Sequence, residues 1–264
     1  MVRVAVPDGV QADVVADALW RHGPASVLEG DGYLEAGFAD VDAGERVAAA
    51  LPWPATVEEV VDDSWQDAWR AHAGVVEVDP LVIVPAWRTV VSIDPGSAFG
   101  SGSHPSTVLC LRALVDVVRP GCSVLDVGCG SGVLAVAAAS VGASPVVAID
   151  VAAEAVVATT ANARRNGVAA AVDVRHAVIE DVDATFEVVV ANIGAAVLTS
   201  MARPLARRAD DVLVLAGLLE EQVPSVVSGF AGEGMTLERV EVLEGWAAPR
   251  LVRTVDGGNG PRNR

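Results

Sequence analysis

The stretch Val124–Gly132, VLDVGCGSG, constrains this chain more than any other. Val124, Leu125 and Val127 around the carboxylate of Asp126 read as a short buried strand. Glycines on alternate positions, Gly128, Gly130 and Gly132, break that strand into a tight turn, and VLAVAAASVGA from Val133 then has the composition of a buried helix. Glycine tolerates positive φ and lets the backbone approach a ligand closely. A helix start presents unpaired N–H groups. A strand, glycine loop and helix in that order hold a nucleotide or nucleoside. The next apolar run, PVVAID, ends in Asp150, 18 residues beyond Gly132. A carboxylate there suits a ribose, because it accepts hydrogen bonds from both hydroxyls.

The loop spacing narrows the ligand. Dinucleotide folds favour G-x-G-x-x-G, which offers a helix N-terminus to a pyrophosphate. Here the spacing is G-x-G-x-G, with Asp126 two positions before the first glycine. That pattern resembles the first motif of class I S-adenosylmethionine (SAM) methyltransferases. SAM carries no phosphate, and an acidic group beside the loop suits its ammonium and sulfonium. Two other readings of the loop stay open at this point: a NAD-dependent oxidoreductase, and a structural turn without ligand.

Composition excludes several classes. The 264 residues suffice for one large or two modest domains. The hydrophobic fraction of 52% and mean hydropathy of +0.43 come from Ala and Val spread through periodic segments. No run approaches the roughly 18 apolar residues of a membrane helix, and MVRVAVPDG lacks a basic-then-apolar leader pattern. A cytoplasmic protein is expected. Cys110, Cys122 and Cys129 have no C-x-x-C spacing, and His22, His72, His104 and His176 no metal-ligand spacing, so reduced thiols and no metal are expected. Cys129, inside the loop, reads as a packing residue rather than a nucleophile. The formal charge is −17, and all 18 basic residues are arginine. This balance argues against direct nucleic-acid binding, which needs cations on phosphates, and suits a basic protein partner. With no lysine, Schiff-base chemistry and a Tyr-x-x-x-Lys hydride site are excluded.

Along the chain, residues 1–60 are expected to form a small α+β domain in the order βαββαβ, as in ferredoxin-like sandwiches. Its helices are placed over Gln11–His22 and Ala43–Leu51, with Asp42 as N-cap of the second. Residues 61–92 read as a connecting helix, Asp63–Ala73 with Trp65 and Trp69 on one face, followed by an extended linker. From 93 to 256, strands and helices alternate, which specifies a doubly wound, mostly parallel sheet of seven strands with helices on both faces. One helix is expected over Ala195–Arg207, and Met235–Leu243 with Ala247–Val255 as an antiparallel hairpin at the edge. Residues 257–264 read as a disordered tail. The Gly/Ser loop before Pro105 is expected to wall a cofactor pocket, with His104 as an N-cap.

Taken together, DSWQDAWRAH, LVIVPAW, IDPGSAFGSGSHPSTVLCL, VLDVGCGSGVLAVAA, VVANIGAAVL and LAGLLEEQ resemble the bacterial ribosomal protein L11 methyltransferase family, the PrmA type, over nearly the whole chain. The resemblance implies a Rossmann-like methyltransferase sheet behind a small N-terminal substrate-recognition domain. It implies SAM as cofactor and, as acceptors, lysine side chains and the α-amine of ribosomal protein L11; another protein or a small amine is the alternative. Cofactor contacts carry over to Thr107, Gly128, Asp150 and Asn192, to which the loop adds Asp126 and Gly130. Asn192 and the Ile193 carbonyl are the expected catalytic groups, orienting an amine through its N–H bonds. This chain has Ser101, Ser103 and Ser106 where the family usually has threonine, and Gly194 where it has leucine.

Overall fold

The computed structural model describes residues 1–7, 9–59, 74–79, 81–96, 98 and 100–254. The connecting helix expected over Asp63–Ala73, with Trp65 and Trp69, and the tail 257–264 lie outside those residues. The chain falls into two compact units, Met1–Arg88 and Thr89–Arg264.

In the first unit, β1 (Val2–Ala5), α1 (Ala12–Trp20), β2 (Ser26–Gly30), β3 (Tyr33–Gly37), α2 (Val41–Ala50) and β4 (Ala55–Val57) follow the expected order. The sheet runs β2-β3-β1-β4. Its neighbours are antiparallel throughout, the arrangement of a split βαβ sandwich. Alternate residues Val2 and Val4, with Leu34 and Ala36, pack on Val15 and Leu19 of α1 and Val47 of α2. The α2 cap differs from expectation. Asp40, not Asp42, is the N-cap, and its Oδ1 accepts the Ala43 N–H at 2.7 Å. The helix therefore begins two residues earlier and takes Asp42 into its first turn. A small antiparallel hairpin, β5 (Val76–Val78) and β6 (Leu81–Ile83), completes the described part of this unit.

The second unit opens with α3 (Pro105–Val117), then β7 (Val124–Val127), α4 (Val133–Ser140), β8 (Val146–Asp150), α5 (Ala153–Arg165), β9 (Val172–His176) and β10 (Phe186–Asn192). It continues through α6 (Ala195–Ser200), α7 (Ala202–Arg208), β11 (Ala209–Ala216), β12 (Leu218–Leu219), α8 (Val223–Ala231), β13 (Met235–Leu243) and β14 (Trp246–Arg253). Strands β9-β8-β7-β10-β11 are parallel neighbours, and β14 joins β11 antiparallel with β13 outside it. These are the seven expected strands. The two-residue β12, pairing with β14, adds an eighth. Glu244 and Gly245 both have positive φ and turn the β13–β14 hairpin.

Successive strand residues serve opposite faces. Leu125, Val127, Val189 and Leu213 pack under Leu205 of α7 and Phe230 of α8. Val124, Val188, Val190 and Val214 pack under Leu109 and Leu114 of α3 and Val136 of α4. That is why these strands read as continuous apolar runs rather than alternations. The single helix expected over Ala195–Arg207 is two, broken at Met201. Pro204 has no N–H for the Ser200 carbonyl and its ring crowds that carbonyl, so one helix cannot run through. No helix among the described residues is long and apolar enough to cross a membrane.

Replacing Asp40 by alanine is expected to cost the first unit about 1 kcal/mol, whereas Asp42→Ala stays within about 0.5 kcal/mol. Urea unfolding followed by the fluorescence of Trp20 and Trp53 separates the two.

Candidate active site

The parallel strands reverse their direction of winding between β7 and β10: β8 lies on one side of β7 and β10 on the other. Ligands of doubly wound sheets bind in the crevice beyond the strand ends at such a point. Here a cavity of about 430 Å³ opens between the loop after β7 and the end of β10.

The glycine loop is dictated by close approach as well as by dihedral angle. Gly128 and Gly132 have φ of +74° and +81°. A Cβ on Gly128 would lie 2.7 Å from Cγ2 of Ile193, and one on Gly132 2.6 Å from Cγ2 of Thr159. The Gly128 and Cys129 N–H groups both donate to the Ile149 carbonyl, at 2.9 and 3.0 Å. The Gly130 N–H donates to Oδ2 of Asp150 at 3.0 Å, and Thr159 Oγ1 donates to the Gly130 carbonyl at 3.0 Å. Asp150 also receives the Ala152 N–H on Oδ1 at 2.9 Å. Both its oxygens are thereby oriented, and each keeps a lone pair for a diol at the cavity wall.

Thr107 and Asn192 are 85 residues apart in sequence and joined at 3.2 Å, Asn192 Nδ2 donating to Thr107 Oγ1. Thr107 is buried in the first turn of α3, which His104 caps: the ring Nδ1 accepts the Ser106 N–H at 3.3 Å. Edge packing on Trp246, with centroids 4.6 Å apart, holds that ring in place. His104 thus has the capping role expected of it. With its Nδ2 turned to Thr107, Asn192 has its Oδ1 unengaged by any described residue.

Thr107, Gly128, Gly130, Asp150, Asn192 and Ile193 therefore line one cavity. Asp126 does not join them. It is fully buried behind the loop, where Oδ2 accepts the Ala135 N–H of α4 at 3.0 Å and Oδ1 has no partner among the described residues. The expectation that Asp126 touches the cofactor is thus revised: its carboxylate caps the helix that follows the loop. Burial pushes its pKa up to about 7; the Ala135 N–H opposes this and the Asp150 charge adds to it. Cys129 is likewise held as a thiol, its pKa pushed up to about 12 by burial and then by the Asp126 charge. Two residues of the loop's support were not legible as such. Ser131 donates to the Gly100 carbonyl at 2.5 Å, and Thr159 comes from α5, far along the chain. A hydroxyl in an Ala-rich helix at the right turn is the signal that could have pointed to Thr159.

The comparisons with known proteins bear on this site. The family description "Ribosomal protein L11 methyltransferase (PrmA)" matches residues 39–254. The chain belongs to the ribosomal protein L11 methyltransferase family. The ribosomal protein L11 methyltransferase of Pelotomaculum thermopropionicum is 40% identical over 236 residues, covering 82% of this chain and 77% of that protein. The one of Caldicellulosiruptor bescii is 36% identical over 210 residues, covering 76% and 69%. Among solved structures, the ribosomal protein L11 methylase of Lactobacillus delbrueckii subsp. bulgaricus superposes with a TM-score of 0.58 at 29% identity, covering 69% of this chain and all of that one. The chain is accordingly a SAM-dependent methyltransferase.

The cavity chemistry fits SAM. Asp150 offers oriented carboxylate oxygens to a ribose, Val151 and Ile179 give an apolar wall beside it, and the glycine loop exposes backbone where side chains would obstruct. Among the described residues no cluster of His, Cys, Asp or Glu is gathered as for a metal.

The Asp126 shift has a definite sign. Between about pH 4 and pH 7 the folded state holds a proton that the unfolded state has released, so stability from this group falls as pH rises through that window. Asp126→Asn removes the dependence. The stability of the variant relative to the parent is expected to rise by on the order of 2–4 kcal/mol from pH 4 to pH 7.5, as read by urea unfolding across that range; a flat difference contradicts the assignment.

Proposed function

We propose that this protein transfers methyl groups from SAM to amines of ribosomal protein L11, on lysine side chains and on the α-amine, with Asn192 and the Ile193 carbonyl orienting the acceptor. The observation that carries the reading is the pair of unengaged acceptors at the end of β10. Asn192 and Ile193 both line the cavity, and no hydrogen bond among the described residues reaches Asn192 Oδ1 or the Ile193 carbonyl.

When bound, SAM supplies a methyl group on a sulfonium, which a neutral amine takes by in-line displacement. The chain's task is to hold the amine with its lone pair forward. An amine has N–H donors and one lone pair. Two oxygens accepting N–H bonds leave the lone pair as the part that faces the cavity. Orientation of this kind supplies up to about 7–11 kcal/mol of a displacement barrier. The Asn192–Thr107 bond anchors the amide, with Nδ2 toward Thr107 and Oδ1 turned away from it. Gly217 makes room for the Ile193 carbonyl, since a Cβ there would stand 2.6 Å from that oxygen.

A lysine ammonium has a reference pKa of about 10.4 and an α-ammonium about 7.7–8.0, so the proton leaves before transfer. No histidine among the described residues lines the cavity. Asp150 is engaged with backbone N–H groups and Cys129 is held as a thiol, so the proton goes to solvent at the open cavity, where Glu180 is the other carboxylate of the lining. The net charge of −17 supports a basic protein acceptor in the cytoplasm rather than direct contact with nucleic acid or membrane. In this reading residues 1–60 form the substrate-recognition domain, 61–92 the connection and 93–256 the catalytic domain.

A second reading, another basic protein or a small amine as acceptor, rests on Gly194. The family usually has leucine there, and a Cβ built on Gly194 meets nothing within 4 Å. Gly194→Leu is therefore sterically admissible and reports directly on the acceptor. Improved methylation of L11 by this variant, with the parent inactive on L11, would favour the second reading.

With labelled SAM and unmethylated L11, Asn192→Ala is expected to lower kcat about 100-fold or more while the SAM Kd stays within about threefold, by calorimetry. Equal loss of binding and turnover would reassign Asn192 to the cofactor alone.

A further inference from the structure

The segment that enters the second unit is held in an unusual way. Ser92 and Asp94 lie in extended backbone outside any sheet, yet the N–H and carbonyl of each are satisfied by the side-chain amides of Asn162, in α5, and Asn166, its C-cap. The Ser92 N–H donates to Asn166 Oδ1 at 2.7 Å, and Asn166 Nδ2 donates to the Ser92 carbonyl at 2.8 Å. The Asp94 N–H donates to Asn162 Oδ1 at 3.0 Å, and Asn162 Nδ2 donates to the Asp94 carbonyl at 2.9 Å. The amides replace the peptide groups of a neighbouring strand.

The two spacings match. Four helical residues rise about 6 Å, and two strand residues about 6.6 Å. Asparagines at i and i+4 therefore meet alternate residues of an extended chain. The intervening Val91 and Ile93 turn their side chains to the apolar core on the α3–α4 face.

The two rungs differ in one respect. The second Nδ2 hydrogen of Asn166 goes to the Asn162 carbonyl within its own helix, at 2.8 Å. Asn162 is fully buried and sends its second hydrogen to the carbonyl of Ser131, in the glycine loop, at 2.9 Å. The Ser131 hydroxyl in turn donates to the carbonyl of Gly100, and Gly100 lines the cofactor cavity together with the loop. One amide thus ties Asp94 to the glycine loop, and Ser131 ties the loop to Gly100.

We propose that Asn162 is a positioning residue for cofactor binding: it holds the glycine loop at Ser131, whose hydroxyl holds Gly100 at the cavity wall, whereas Asn166 only anchors Ser92 to the helix end. Asn162 acts through Ser131 and Gly100 and contacts no reacting group. The inference rests on the SAM reading of the cavity and concerns cofactor affinity alone. Calorimetry reads that affinity without an acceptor, so its failure is distinguishable from a failure of the L11 assignment.

The experiment compares Asn162→Ala with Asn166→Ala in the full chain by SAM titration, thermal unfolding and steady-state kinetics. Each substitution removes three hydrogen bonds, and both variants are expected to melt at lower temperature. The SAM Kd and KM are expected to rise more than fivefold for Asn162→Ala with kcat at saturating SAM within threefold, and to change less than fivefold for Asn166→Ala. A smaller rise for Asn162→Ala, or an equal rise for both, overturns the proposal. Should Asn162→Ala fail to fold, Ser131→Ala decides: it removes the Gly100 tether, together with the long bond its hydroxyl accepts from the Val133 N–H at 3.3 Å, and leaves both rungs; a rise in SAM Kd of less than twofold overturns the proposal while a larger one supports it.

Discussion

The second unit depends on two N–H groups sharing one carbonyl. Gly128 and Cys129 both donate to Ile149, the residue before the end of the neighbouring strand. This carries the β7–β8 ladder past the last residue of β7 and bends the chain across the strand ends. Asp150 completes the bend by taking the Gly130 N–H. From there the direction of α4, the position of Gly132 against Thr159 and the room for Ile193 above Gly128 all follow. The loop has few conformations open to it, because all three glycines are left-handed and Gly128 and Gly132 are also crowded. Such a loop is ordered by its own neighbours, and the entropy that a floppy glycine run would lose on binding has already been lost on folding.

Behind the loop, Asp126 shows how a buried charge is tolerated at the start of a helix. An isolated buried carboxylate is strongly disfavoured unless it is paired or neutralised. Here the first turn of α4 offers it an N–H, and the field at a helix N-terminus favours a negative group. The compensation is incomplete, since one oxygen stays unpartnered and the Asp150 charge lies close enough to oppose ionisation. The result is a group poised between protonation states, built into the support of the loop rather than into its ligand face. The sequence motif is indifferent to this distinction: Asp126 stands two residues before a glycine whichever way its side chain points.

The same distinction explains what could and could not be read in advance. The succession of strands and helices was legible because doubly wound sheets bury both faces, so Val146–Asp150 and Phe186–Asn192 show as apolar runs ending in polar residues at the ligand side. The N-terminal βαββαβ order was legible from turn glycines such as Gly32. Details set by a single hydrogen bond were not. Asp40 and Asp42 are equivalent by composition, and only the Ala43 N–H chooses between them. The break at Met201 was signalled by Pro204, but the apolar periodicity of Ala195–Arg207 ran through it. The clamp of Asn162 and Asn166 on Ser92 and Asp94 spans about seventy residues of sequence, and polar residues in a helix carry no mark of what they hold.

The two halves of the cavity are constrained to different degrees, and this difference follows the chemistry of what they bind. On the side assigned here to the cofactor, Gly128, Gly130, Asp150 and Thr107 are each held by hydrogen bonds or close packing. On the acceptor side, Gly194 has open space about it and opens a helix of only six residues, with Val197 exposed. A cofactor is one molecule of fixed shape, and a preorganised wall lowers the entropy lost in holding it. Lysine side chains at several sites and an α-amine share only an amine nitrogen and its N–H groups. A wall shaped to one of them would reject the others, whereas in the proposed reading two acceptors, Asn192 Oδ1 and the Ile193 carbonyl, set beside an open approach serve any amine that reaches them. Recognition of the protein that carries those amines must then come from surfaces outside the cavity.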